Sequence, residues 1–204
     1  DAARSVYRRA MEIEDPEHRP VTRELADRLF QADQLDQANL LYGELWELNP
    51  DDPRFGMRFV ESLGNNENGL ANARNVLDKV VVDNSLDDPV ILILQGMLAQ
   101  SEAEPQRALD AFSKSITLSP HWATAYHQRA QLLADDPSQR DQVLSDLRKA
   151  LELNRDLHVA RRLLANLHIQ AGEKDQAIRE FASLVSRSPR DESSRLILAN
   201  LYFE

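Results

Sequence analysis

Apolar residues recur along this chain three or four apart, the spacing of helices that bury one face. Leu164, Ala165 and His168 mark one such stripe, and Ala177, Phe181 and Leu184 mark a second. The second stripe opens a longer signature, A-x3-F-x7-P, which closes at Pro189. The same spacing returns at Ala108, Phe112 and Pro120, and again at Ala38, Tyr42 and Pro50. Upstream of each of these alanines stands a Leu-Ala or Gln-Gly pair: Leu25-Ala26, Gln95-Gly96 and Leu164-Ala165. Self-similarity at a fixed period is the mark of a repeat architecture.

A 34-residue frame places blocks at 19–52, 89–122 and 158–191. The intervening blocks, 53–88 and 123–157, are slightly longer. Their signatures are Ala73/Leu77/Val80 and Val143/Leu147/Ala150, and the extra residues fall in Gly-, Asn-, Asp- and Pro-rich loops. Each block predicts two helices. Small residues such as Ala26, Ala38, Ala130 and Ala165 stand where a bulky side chain would push two helices apart. Tyr42 and Phe112 fill the adjoining gaps. One helix pair cannot bury both of its stripes, so stacking on the next pair completes the core. Twelve helices are expected: ten from complete blocks, one before Asp15 and one from about Asp191.

This pattern resembles the tetratricopeptide repeat (TPR) family, and the resemblance covers nearly all of residues 1–204. Residues 1–18 look like the second helix of a preceding repeat, and 192–204 like the first helix of a following one. The two ends therefore suggest a fragment of a longer array, with uncapped ends available for self-association. The resemblance implies an all-α fold, a right-handed α-solenoid of stacked antiparallel helix pairs. It also implies that the first helix of each repeat lines a concave groove, through its second, fifth, ninth and twelfth places. In the fifth repeat these are Val159, Arg162, Asn166 and Ile169. Across the array the candidate partner-binding residues are Met57, Ile93, Met97, His127, Gln131, Arg162 and Asn166. The implied function is a non-catalytic scaffold that binds a peptide segment or partner protein. The alternative is a regulatory or assembly module of a larger multi-domain enzyme, or of an envelope machine of the exopolysaccharide-secretion type. Two known uses of the groove do not fit. The carboxylate clamp of cochaperones lacks an Asn at Ile197, and an asparagine ladder at the sixth place is replaced by Glu24, Arg58, Leu94, Gln128 and Leu163.

The segment Val90-Ile91-Leu92-Ile93-Leu94, followed by Met97-Leu98, is apolar all round. Such a helix is normally buried, yet a solenoid leaves its inner surface open. Both a core role and a binding role for Ile93 and Met97 stay open at this point.

Charge narrows the partner. Lys and Arg number 24 against 34 Asp and Glu, for a net charge of −10. That balance argues against nucleic acid and anionic membranes, which need a positive footprint. No apolar run reaches the length of a membrane span, so no direct membrane insertion is expected. The absence of cysteine excludes disulfides and thiol chemistry, and suits a bacterial cytoplasm or periplasm equally.

The remaining candidate chemistry reads as structural. Asp51-Asp52-Pro53, Asp87-Asp88-Pro89 and Asp135-Asp136-Pro137 pair carboxylates, as acid–base or metal sites do. In the first two, an Asp followed by Pro matches a helix N-cap with Pro in the first helical position. The histidines His18, His121, His127, His158 and His168 make no metal-binding spacing. His168 is expected to be packed and His127 to face the groove. No phosphate loop is present and no serine nucleophile can be assigned, so no catalytic residue, metal or cofactor is expected.

Overall fold

The computed structural model describes residues 20–32, 34–49, 52–63, 67–80, 88–188 and 191–203. Among them are eleven α-helices and no strand. They are α1 (Pro20–Gln31), α2 (Leu35–Leu48), α3 (Pro53–Ser62), α4 (Glu67–Val80), α5 (Pro89–Ser101) and α6 (Pro105–Leu118). There follow α7 (Ala123–Leu133), a 3-10 turn (Pro137–Gln139), α8 (Arg140–Leu153), α9 (His158–Gln170), α10 (Lys174–Arg187) and α11 (Glu192–Phe203). The helix expected before Asp15 lies outside the described residues. The chain divides into two compact units, residues 1–118 and 119–204.

The Asp-Pro sequences start helices. Asp52 accepts the Arg54 N–H at 3.0 Å, and Asp88 accepts those of Val90 and Ile91 at 2.7 and 3.1 Å. Each satisfies donors that a helix start leaves without intrahelical partners. Asp136 makes the same contact with Ser138 at 2.9 Å, but it opens the 3-10 turn, and α8 begins only at Arg140.

In the first unit α2 packs on α1, α3 and α4, and α5 packs on α3, α4 and α6. Trp46, Tyr42, Phe59, Leu45 and Leu63 are fully buried, with the Trp46 and Phe59 rings 5.8 Å apart. Small residues let these rings reach the backbone. A Cβ added at Gly96 would lie 2.4 Å from Phe112, and one at Gly56 would lie 2.7 Å from Trp46. Buried Asn39 ties three helices together. It donates to the Phe59 carbonyl at 3.1 Å and to the Ser62 hydroxyl at 3.2 Å, and accepts from Asn72 at 2.7 Å.

The second unit pairs α7 with α8 and α9 with α10, and α11 packs on α10. Ala165, Ala177, Phe181, Leu184 and Leu201 form one core shared by α9, α10 and α11. Arg129 on α7 holds Asp146 on α8 through two hydrogen bonds of 2.8 Å, and both side chains are largely buried. On α9 the stripe Leu164, Ala165 and His168 is buried. The matching Ala199 and Tyr202 of α11 are exposed, since no further described helix follows it.

Candidate functional site

The first-helix residues expected on the groove divide sharply in the structure. Met57, Ile93, Met97 and His127 are buried, Ile93 completely. The physical reason is clearest for Ile93. Nearly every position of α5 from Val90 to Ala99 is buried, in a helix that packs on α3, α4 and α6. Of the two roles left open for Ile93 and Met97, their burial favours the core role. Met57 sits on α3, which packs on α5 and α2. His127 is likewise enclosed, and desolvation pushes its imidazole down to about 4, so it is neutral near pH 7. Gln131 is partly exposed on α7, while Arg162 and Asn166 are exposed one turn apart on α9.

Around Arg162 and Asn166 the second unit presents a continuous open stripe. Val159, Arg162, Asn166 and Ile169 follow one another at helical spacing, and all four are exposed, Val159 at 55%. The opposite stripe, Leu164, Ala165 and His168, faces the core. Moving 34 residues on from each of the four reaches Ser193, Leu196, Asn200 and Phe203 on α11. These are exposed too, Leu196 at 64% and Phe203 at 90%. The sequence reading omits these four positions, although the 34-residue translation of the α9 stripe points to them.

Arg162 joins the two helices. Its guanidinium donates to Asp191 at 2.7 Å, and Asp191 in turn accepts the Ser194 N–H at 3.1 Å and the Ser194 hydroxyl at 2.7 Å at the start of α11. These hydrogen bonds, Ser194 foremost, hold the Asp191 carboxyl below the usual carboxylate range. Near the other end of α9, His168 Nδ1 lies 2.5 Å from Glu173, which also accepts from Arg140 at 3.2 Å. His168 is thus a packed histidine, and Glu173 is lowered chiefly by that contact.

No group of three or more His, Cys, Asp or Glu among the described residues is arranged to hold a metal ion. No described helix is long and apolar enough to cross a membrane. What these two stripes of α9 and α11 offer chemically is a mixed apolar and amide surface whose one cation, Arg162, is paired with Asp191.

Short helix pairs with small residues at their joints, recurring within each unit, define a helical-repeat protein. The human tetratricopeptide repeat protein 36 is 33% identical over 134 residues, 61% of this chain and 68% of that protein. The chain belongs to the tetratricopeptide repeat family. No family model matches it. Among solved structures, a thermophilic TPR protein of Thermus thermophilus superposes with a TM-score of 0.57 at 21% identity, over 90% of this chain and 98% of that one. YrrB, described as a TPR protein with an unusual peptide-binding site, gives a TM-score of 0.51 at 16% identity, over 95% and 97%. At these identities the two structures establish the fold.

Proposed function

We propose that this protein is a non-catalytic protein–protein interaction scaffold, and that a peptide segment of a partner docks on the open face of α9 and α11. The observation that carries this reading is the stripe Val159, Arg162, Asn166, Ile169 and its counterpart Ser193, Leu196, Asn200, Phe203, all exposed. Half of these eight side chains are large and apolar. Covering an exposed aliphatic or aromatic side chain contributes roughly 1.5–3 kcal/mol, so the face gains from a partner. The polar half supplies amide and hydroxyl groups that fix orientation. The peptide-binding site of YrrB supports the reading by fold analogy alone. Met57, Ile93, Met97 and His127 serve the core in this reading, and Gln131, Arg162 and Asn166 remain recognition residues.

The test is a selection of short displayed peptides on the chain, followed by anisotropy titration of the selected peptide. Ile169→Glu and Leu196→Glu should each weaken binding by about tenfold or more, as expected for a desolvated apolar anchor, while the thermal midpoint stays put. Binding that is indifferent to both substitutions would refute the docking face.

A further inference from the structure

Of the eight side chains on the α9–α11 face, Arg162 alone is charged, and it is already occupied. Its guanidinium lies 2.7 Å from Asp191 Oδ2. Asp191 is not free to swing away, because its side chain is mostly buried and its oxygens also accept from the Ser194 amide and hydroxyl. Ser194 is itself buried. Beside this pair, Glu192 and Arg195 face each other at 3.8 Å and add no net charge.

We infer that Asp191 sets the charge selectivity of this face: by holding Arg162 it makes the face electroneutral, so that an uncharged, apolar partner segment docks and an acidic one is refused. The inference rests on the docking face proposed above. An incoming carboxylate that sought Arg162 would meet the Asp191 carboxylate behind it. To displace that group it would have to break the cap of α11 as well. Two like charges sharing one guanidinium are unfavourable, and unpaired desolvated charges are the usual means by which an interface rejects a wrong partner. The net charge of −10 acts in the same direction over longer range. An uncharged segment meets none of this. It finds Val159, Ile169, Leu196 and Phe203 for its side chains, and the exposed carboxamides of Asn166 and Asn200 for its main chain. Neither carboxamide is engaged by another described residue.

The probe is the peptide selected on the chain, synthesised with blocked ends, together with copies carrying two Glu or two Lys at its polar positions. The wild-type chain should select uncharged sequences and bind the uncharged peptide about tenfold or more tightly than the Glu copy. In Asp191→Asn the cap is kept, since Asn is as good an N-cap as Asp, while Arg162 is released. The preference should then fall to parity or invert, and binding of the Glu copy should weaken as salt is added. Arg162→Gln leaves Asp191 without its cation, and should shift preference toward the Lys copy. A merely structural role for Asp191 would change affinity for every peptide alike and leave the ratios unmoved. Selection of acidic sequences by the wild type, or an unchanged ratio in both variants, overturns the inference. If binding still depends on Ile169 and Leu196 while the ratios stay fixed, the docking face stands and the role of Asp191 falls.

Discussion

At Gly96 the missing side chain is what lets the repeat close. Its backbone lies under the ring of Phe112, and a Cβ there would sit 2.4 Å from Cε1. Two effects oppose each other in Gly96→Ala. Helix propensity favours Ala by about 1 kcal/mol, whereas overpacking a close joint costs about 1–3 kcal/mol. Because Phe112 is fully buried and has little room to retreat, the steric effect should win, and chemical denaturation should show a net loss. A gain in stability would mean that the ring moves aside. His127 gives a second residue-scale expectation. Its imidazole titrates near 4 in the fold, against about 6.5 in an unfolded chain. The unfolded state therefore binds the proton first. Stability is full above about pH 6.5 and declines as pH falls toward 4, by about 3 kcal/mol in all. Glu61 works in the opposite direction, since burial raises its carboxyl and protonation relieves that cost. The contribution of His127 is therefore the difference between wild type and His127→Asn in urea titrations at pH 7 and pH 4.5. The variant should show the weaker acid destabilisation. Equal pH dependence in both would contradict a desolvated imidazole.

Between elements, the buried pair Arg129–Asp146 fastens α7 to α8, with Gln142 adding a 2.9 Å hydrogen bond to the same carboxylate. Removing one partner leaves a buried charge, so Arg129→Met should cost about 3–5 kcal/mol, and the double change with Asp146→Leu should restore much of it. A double-mutant cycle in urea reads both; a double variant no more stable than the single would deny that the stranded charge is the cause. Seventeen residues separate the two partners, and no spacing rule pairs them, so this joint was not legible in the sequence. The helix starts were, because an N-cap is local chemistry: Asp88-Pro89 carries its whole instruction in adjacent residues. At Asp136-Pro137, by contrast, the same phrase opens a 3-10 turn. That α5 is buried on nearly every side was not legible either. Periodicity locates a buried face by contrast with a polar one, and a helix running Val90-Ile91-Leu92-Ile93-Leu94 offers no contrast. Where contrast exists, as in α9 with Leu164-Ala165 against Arg162 and Asn166, the sequence separated core from surface correctly.

For the whole molecule, the period of the small-residue and aromatic positions decided the fold, because each pair needs its neighbour to complete a core. The same logic governs how damage spreads. Stability in stacked repeats is approximately a sum of each repeat's own stability and its nearest-neighbour interfaces, so a strained joint should loosen its neighbours and little else. Gly96 lies in α5, which packs on α3, α4 and α6. Ala165 lies in α9, fully buried in the core that α9 shares with α10 and α11. Hydrogen exchange on the intact chain can follow both substitutions helix by helix. Gly96→Ala should speed exchange in α5 and α6 first and in α3 and α4 next, leaving α9 to α11 as in the wild type. Ala165→Leu should do the reverse, raising exchange in α9, α10 and α11 while α2 to α5 keep their protection. The two patterns are each other's control, since a general loss of stability would raise exchange everywhere in both. Uniform acceleration across all eleven described helices by either substitution would mean that the array opens as a single cooperative body, and the nearest-neighbour account would have to be given up.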